Sequence, residues 1–484
     1  MLSHPPVIIP EIGKGREKEA DQTIRGIKDV ALNIAKIAPE VIVCITPHGN
    51  VFQDTVSVVY ETKMTGNLES FGGPDEHLEK ECDMDLLNEM NRRFGENNCE
   101  ALFLNQKVAE KYAVERTLDH GCLVPLYYVD KVYTKYKIVH ITIGMLSLYE
   151  LYRTGRILRE AIEAVGKSTV ILASADLSHA LKNSGAYTHH EKGPVFDQKI
   201  IQAIEEKQYF DLLTMKSELY EPAKQCGLRP IVMALGTTDS IATKSKVYSY
   251  EAPFGVGYLA AWITFDLEQA DPIRESLLEK YQQKIEAQYQ ESRAQEDALI
   301  KLARETLEMW VLKGRKLSLE TYLEKCSKTI AERLQNDHLA SFVSFYRAEN
   351  LRGCIGTLSP MMENLGEEII HNAIEAAAYD PRFLAIEKEE LKDIDIVIDL
   401  LNKPQQIDSP DELDPAVYGI ILEKGLRKAV LLPDLPEITT VKEQLEVAKE
   451  KAGIMPGEEE IDLGERLIIS KFTVERHGKL KKLK

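Results

Sequence analysis

Residues 41–49 read VIVCITPHG, a run of apolar and β-branched residues closed by proline, histidine and glycine. Such a run predicts a buried strand over Val41–Thr46, with His48 set just past its carboxyl end. The same arrangement returns in TVILASADLSH (residues 169–179), where a strand over Thr169–Ser174 runs into Asp176 and His179. Working outward, further strands are expected at Val7–Ile9, Thr55–Tyr60, Ile138–Ile143, Val247–Tyr250 and Val256–Phe265. Helices are expected between them, at Thr23–Ala35, Glu76–Arg93, Leu148–Ala164 and Val195–Glu205, from apolar residues three and four apart. The alternation predicts an α/β domain over residues 1–265, a layered sheet with flanking helices.

Beyond it the composition changes. From Asp266 to Ala303 the chain is rich in Glu, Gln, Lys, Arg and Ala and has no glycine, and no a/d heptad is sustained, so residues 266–297 read as a charged helical connector. Residues 298–484 predict an α+β domain: helices Ala298–Leu312 and Ser318–Arg333, strand Ala340–Tyr346, a turn-rich segment Leu351–Pro360, helix Leu365–Ala378, strand Ile394–Leu400 and the apolar run Ala429–Leu432. The basic tail His477–Lys484 reads as frayed. A length of 484 residues suits two or three domains, and 44% hydrophobic with 29% charged residues excludes disorder as the main state.

The net charge of −18 repels phosphate backbones and anionic lipid surfaces, which disfavours a nucleic-acid or membrane-surface protein. No apolar run approaches the ~18 residues that span a bilayer, and the start of the chain lacks the pattern of a signal peptide, so the expectation is a cytoplasmic protein. The seven scattered cysteines form neither a disulfide framework nor a paired zinc pattern.

Polar residues able to bind metal or move protons follow several strands, at the edge where α/β sheets carry their chemistry. They are His48, Asp176 and His179, joined by His4 before two prolines, by Asp119-His120-Gly121, by His189-His190-Glu191, and by Cys226 in QCGLRP (residues 225–230). Two histidines with one carboxylate or thiolate leave open positions on a metal, as an Fe(II) site needs. Further His and Asp residues suit general acid–base work near neutrality. His189 and His190 equally suit a solvated loop, and Cys226 equally suits a small buried hydrophobe at a helix start.

The segments SHPPVIIPEIG (3–13), TPHG (46–49), FGGP (71–74), LDHGCLVPL (118–126), SADLSH (174–179), HHEKGPVFD (189–197), QCGLRPIVMALG (225–236) and APFGVGYLAAW (252–262) resemble, in order, the class III extradiol dioxygenase (LigB-like) superfamily with its Memo branch. The resemblance implies His4 and His48 as imidazole ligands of Fe2+, His179 as catalytic base with Asp176 beside it, and His120 as a second active-site histidine. The third ligand departs from the ring-cleaving pattern. Those enzymes use a glutamate, whereas the Memo branch carries a cysteine, matched here by Cys226. A thiolate softens the site and admits Zn2+ or Cu+ as alternatives.

In the second domain LRGCIGTLSP (351–360), EEIIHNAIEAAAYDPRF (367–383), LDPAVYGIIL (413–422) and GLRKAVLLP (425–433) resemble the AMMECR domain. The pairing resembles the AmmeMemoRadiSam set, its proteins B and A joined on one chain, and so implies a radical S-adenosylmethionine protein as partner. Arg352 precedes Gly353, and Cys354 stands between Gly353 and Gly356; together they suggest a second site where a small anionic group or another chain could dock, the alternative being a structural turn with a buried cysteine. The expected function is a non-haem metal oxidoreductase acting on a small, phenolic molecule. The alternatives are a non-catalytic metal-binding accessory protein and a zinc-dependent hydrolase. A homo-oligomer is left open.

Overall fold

Strand β1 (Val41–Thr46) is buried at every residue, which in a sheet requires cover on both faces. It is the fourth strand of a five-stranded sheet ordered β5-β2-β6-β1-β7, with β2 at Val56–Val59, β5 at Ala101–Leu104, β6 at Lys137–Thr142 and β7 at Thr169–Ala173. This computed structural model describes residues 1–183, 188–266, 274–347, 350–435, 438–454 and 467–478, with the side chains of residues 74–76 and 292 left aside. The chain forms two compact units, residues 1–284 and 285–484.

In the first unit β1 pairs parallel with β6 and β7, so the carboxyl ends of these three strands share one edge of the sheet. Strand β2 is parallel to β5 and antiparallel to β6. Helices α1 (Asp21–Ile37) and α3 (His120–Asp130) pack together, and α3 reaches β1. Helices α2 (Met84–Glu96) and α4 (Leu148–Val165) also pack together. Helix α6 (Leu228–Gly236) lies on α4, β1 and β7, while α5 (Lys192–Glu205) packs against the hairpin of β8 (Thr243–Glu251) and β9 (Tyr258–Phe265).

The start of the chain is stitched between two sheet edges. Leu2 pairs with Ser174 in parallel and with Ala260 antiparallel, through Leu2 N–H to Ala173 O at 2.9 Å and Ala175 N–H to Leu2 O at 2.9 Å. Ser3 continues it by donating to Leu259 O at 3.1 Å. His4 is thereby carried to the carboxyl end of β7.

Two expectations fail here. Val7–Ile9 is not a strand: Pro6–Ile8 forms a 3-10 turn, because Pro5, Pro6 and Pro10 fix φ and remove backbone donors. Residues 76–93 are not one helix. β3 (Lys63–Leu68) and β4 (Gly73–Glu81) make an antiparallel hairpin, and α2 begins only where Asp83 caps it by accepting Leu86 N–H.

The second unit is α+β with antiparallel sheets. One is ordered β11-β10-β12-β17, with β10 at Ala340–Arg347, β11 at Asn350–Gly356, β12 at Ile394–Leu401 and β17 at Val474–His477. The other is ordered β13-β16-β14-β15, with β13 at Gln405–Ile407, β14 at Gly419–Lys424, β15 at Arg427–Leu431 and β16 at Ile468–Phe472. Helices α8 (Ala298–Lys313) and α9 (Leu365–Ala378) share their core with β10 and β12. Helix α7 (Leu277–Ala294) occupies part of the expected connector. The expected helix over 318–333 is broken into Leu319–Leu323 and Lys328–Asn336, since Ser327 caps a new start by accepting Ile330 N–H. The expected turn at 351–360 is largely strand β11. Of the basic tail, residues 479–484 lie outside the described residues.

Candidate metal centre

His48 follows β1 through Pro47, and its own N–H donates to Thr46 Oγ1 at 3.2 Å. His4 arrives from the other side, so that its Nε2 stands 2.8 Å from His48 Nε2, with the rings nearly perpendicular. The Cys226 Sγ, two residues before α6, lies 3.7 Å from His4 Nε2, and the ligand atoms of His4, His48 and Cys226 all fall within 4.8 Å of one another. Gln225, beside that cysteine, accepts Leu228 N–H at 2.8 Å through its side chain and so helps start the helix.

The tautomer of His4 follows from its neighbours. Ser174 Oγ lies 2.5 Å from Gly121 O and 2.7 Å from His4 Nδ1. The carbonyl can only accept, so the hydroxyl proton goes to Gly121 and Ser174 Oγ accepts from Nδ1–H. Nε2 of His4 is left with its lone pair aimed at His48 and Cys226, as a metal ligand requires. Burial, reinforced by the neighbouring imidazoles, pulls both His4 and His48 down to about 3, so both are neutral ligands at neutral pH. Burial pushes the Cys226 thiol well up, and the Asp176 charge acts the same way. Two neutral imidazoles and one thiol form a donor set of borderline softness that fits iron or zinc.

The remaining candidates gather around these three. Asp176 Oδ1 accepts His4 N–H at 2.9 Å, and Oδ2 stands 3.9 Å from His4 Nε2. Burial raises its carboxyl to about 6, against the opposing pull of the His4 N–H and of His179. His179 Nε2 lies 3.8 Å from Cys226 Sγ, with its backbone N–H fixed to Ala223 O at 3.0 Å. His120 opens α3 and stacks on His48 with ring centroids 4.3 Å apart, while Phe71 meets its ring at 5.0 Å. Burial lowers both His120 and His179, and Asp176 offsets part of each shift. His190 is used locally: its Nδ1 accepts Lys192 N–H at 3.1 Å at the start of α5.

Sequence reasoning missed Ser174, Thr46 and His140 as parts of this site. His140 is buried in β6, and its Nε2 lies 2.7 Å from Asp119 Oδ2. A histidine inside the apolar run IVHIT (138–142) was the available signal.

The suggested second site is differently employed. Arg352 donates from Nε and Nη2 to the Glu390 carboxylate at 2.8 and 2.9 Å, and from Nη1 and Nη2 to the carbonyls of Leu384 and Ala385 at 2.7 and 3.1 Å. Its guanidinium is held in a clamp by these four hydrogen bonds. The Cβ that Gly353 lacks would stand 2.2 Å from Ala376 O, so what approaches this glycine is the unit's own helix α9. Cys354 donates its N–H to Asp380 Oδ2 at 2.9 Å, its carbonyl accepts from Arg382 at 3.0 Å, and burial pushes its thiol up. This is the environment of a structural thiol.

The Asp380–Arg382 ion pair carries a pH prediction. Hydrogen bonds from Arg382 hold Asp380 down to about 2, although burial acts the other way. A carboxyl depressed on folding contributes stability above its unfolded value of ~3.9 and loses it as pH falls toward the folded value. Asp380→Asn is therefore expected to lower stability at pH 6 and to flatten its loss between pH 4 and 2.5, read by denaturant titration at each pH. Parallel curves for the two proteins would contradict the electrostatic role of the Asp380–Arg382 pair.

Residues 1–261 match the LigB family model, described as the catalytic LigB subunit of aromatic ring-opening dioxygenase, and residues 300–477 match the AMMECR1 model. Protein CA_C1420 of Clostridium acetobutylicum is 35% identical over 477 residues, covering 99% of this chain and 98% of that protein. A protein of Thermotoga maritima is 42% identical over 151 residues, which is 31% of this chain and 83% of its own length. Among solved structures, uncharacterized protein PH0010 of Pyrococcus horikoshii shares 28% identity at a TM-score of 0.32, covering 37% of this chain and 88% of that one.

Proposed function

Because the chain belongs to the LigB family through residues 1–261 and carries an AMMECR1 domain at residues 300–477, we propose that its first unit is a metal-dependent oxidoreductase acting on a small phenolic molecule. The observation that supports this most is the convergence of His4, His48 and Cys226 within 4.8 Å, ringed by His120, Asp176 and His179. Fe2+ is the metal proposed. When bound it supplies open positions for a phenolate and dioxygen together. His179, beside the thiolate, takes the proton of the substrate hydroxyl, and burial raises the nearby Asp176 carboxyl to about 6, within range of proton exchange near neutrality. His120 is stacked over His48, with Phe71 tilted against its ring at 5.0 Å, and can return a proton to the substrate.

Anaerobic loading with Fe(II), followed by oxygen uptake with a panel of catechols, tests the activity. Uptake matching substrate loss is expected. Full metal occupancy without uptake would overturn ring oxidation and leave the second reading, a metal-binding accessory protein working in the cytoplasm beside a radical S-adenosylmethionine enzyme. The thiol in place of a carboxylate is what favours that reading. No described helix is long and apolar enough to cross a membrane.

Metal uptake carries its own signature. The imidazoles are already neutral at pH 7, whereas a thiol must lose its proton to bind, so uptake is expected to release about one proton per site and to strengthen as pH rises. Cys226→Ala should abolish that release in a pH-stat titration. Unchanged release in the variant would remove Cys226 from the ligand set.

A further inference from the structure

We propose that the buried pair Asp119–His140 is the positioning device of this centre, one carboxylate from which three imidazoles take their placement. The inference rests on the metal-centre reading above and adds residues that lie behind the ligands. Asp119 Oδ1 accepts from Thr46 Oγ1 at 2.7 Å and from Gly121 N–H at 2.8 Å, and Oδ2 is 2.7 Å from His140 Nε2.

Two of these bonds, to Thr46 and to Gly121, lead on to the histidines of the centre. Thr46 Oγ1, held by Asp119, accepts the N–H of His48 and sets the turn that carries that ring. Gly121 N–H is an otherwise orphan donor of the first turn of α3, so Asp119 is the N-cap of the helix whose first residue is His120. The carbonyl of Gly121 takes the Ser174 proton, and that in turn makes Ser174 the acceptor for His4 Nδ1–H. A single carboxylate thus governs the position of His48, the start of the helix bearing His120, and the tautomer of His4. His140, fully enclosed in β6, fixes the carboxylate from behind.

Asp119, Cys122 and His140 also lie within 4.8 Å of one another, a spacing that could itself hold a cation. Both oxygens of Asp119 already accept hydrogen bonds from within the protein, and Cys122 is fully buried, so the group reads as a support for the first centre. Burial alone would raise the Asp119 carboxyl, but the bonds from His140 and Thr46 and the neighbouring imidazoles outweigh it and hold it below the ordinary range. The carboxylate stays charged and keeps accepting.

Partners of this kind typically change metal affinity by ~10–100-fold when removed. The test uses Co(II) as the probe metal on the full chain, measuring the dissociation constant and the visible ligand-field spectrum. Thr46→Val, nearly equal in shape, cuts the link to His48 and is expected to weaken Co(II) binding ~10-fold with a shifted spectrum, while Thr46→Ser restores both. Asp119→Asn is expected to weaken it further, toward ~100-fold. Thermal unfolding of the metal-free variants separates local disorder from ligand placement. Variants that bind with wild-type affinity and an unchanged spectrum would overturn this inference alone. A wild-type chain that takes up no cobalt would overturn the metal centre together with it.

Discussion

His48→Ala is expected to empty the centre: bound metal after dialysis should fall from about one per chain to less than a tenth, because losing a direct ligand costs more than the ~10–100-fold attached to its outer partners. His48 is the informative ligand to remove. His4 is almost wholly enclosed and its backbone is tied to Asp176, so its loss would also leave a cavity in the core. The His48 side chain lies at the exposed rim of the centre and meets other imidazoles, His4 at one edge and His120 across its face. The metal-free variant should therefore unfold near the wild-type temperature. Metal analysis beside calorimetry of the metal-free proteins makes the comparison, and wild-type metal content in His48→Ala would remove this residue from the site.

The second large effect is expected far from any ligand. Helices α4 and α6 cross at Gly155 and Gly236. A Cβ added at Gly155 would stand 1.9 Å from Met233 O and 3.1 Å from the Cα of Gly236, and one at Gly236 would stand 2.0 Å from Tyr152 O. These neighbours are backbone atoms within helices, so relief requires the helices to move apart. Overpacking of this kind costs ~1–3 kcal/mol, and Gly155→Ala belongs at the upper end despite the ~1 kcal/mol that alanine gains in helix propensity. Because α6 begins two residues after Cys226, the same displacement should weaken metal binding. Gly95→Ala is the control: it lies in α2, its added Cβ meets nothing within 4 Å, and it should be neutral or stabilising by up to ~1 kcal/mol. Denaturant titration of the three proteins measures this, and equal stability of Gly155→Ala and wild type would refute the close crossing.

What was legible in the sequence follows from how each element is stabilised. Strands β1 and β6 are buried on both faces and β7 is largely buried, so they appear as near-continuous apolar runs, and the chemistry at their ends could be placed from the next few residues. The hairpin of β3 and β4 was not legible. β3 buries only alternate residues, with Met64, Gly66 and Leu68 inward, and β4 reads GPDEHLEKE, whose charged residues resemble a helix start. Strand β11 looked like a turn because of its glycines, yet Gly353 is there to admit the Ala376 carbonyl of a helix. The eight candidate residues divide in the same way. His4, His48, His120, Asp176, His179 and Cys226 gather because parallel strands bring their carboxyl ends to one edge. The commitment of Arg352 depends on Leu384, Ala385 and Glu390, more than thirty residues away, and no local pattern announces such partners. His140 left only a faint signal, a histidine in an apolar run, for a related reason: a single polar residue in a buried strand acquires its role only through Asp119, which arrives on a different element.

The reading of the metal centre turns on one claim, that His4, His48 and Cys226 bind the same ion. X-ray absorption on the chain loaded with one equivalent of zinc measures it most directly. The account predicts one sulfur scatterer at ~2.3 Å beside nitrogen scatterers at ~2.0–2.1 Å, with the sulfur shell lost in Cys226→Ala. A first shell of nitrogen and oxygen alone in the wild-type protein would contradict it.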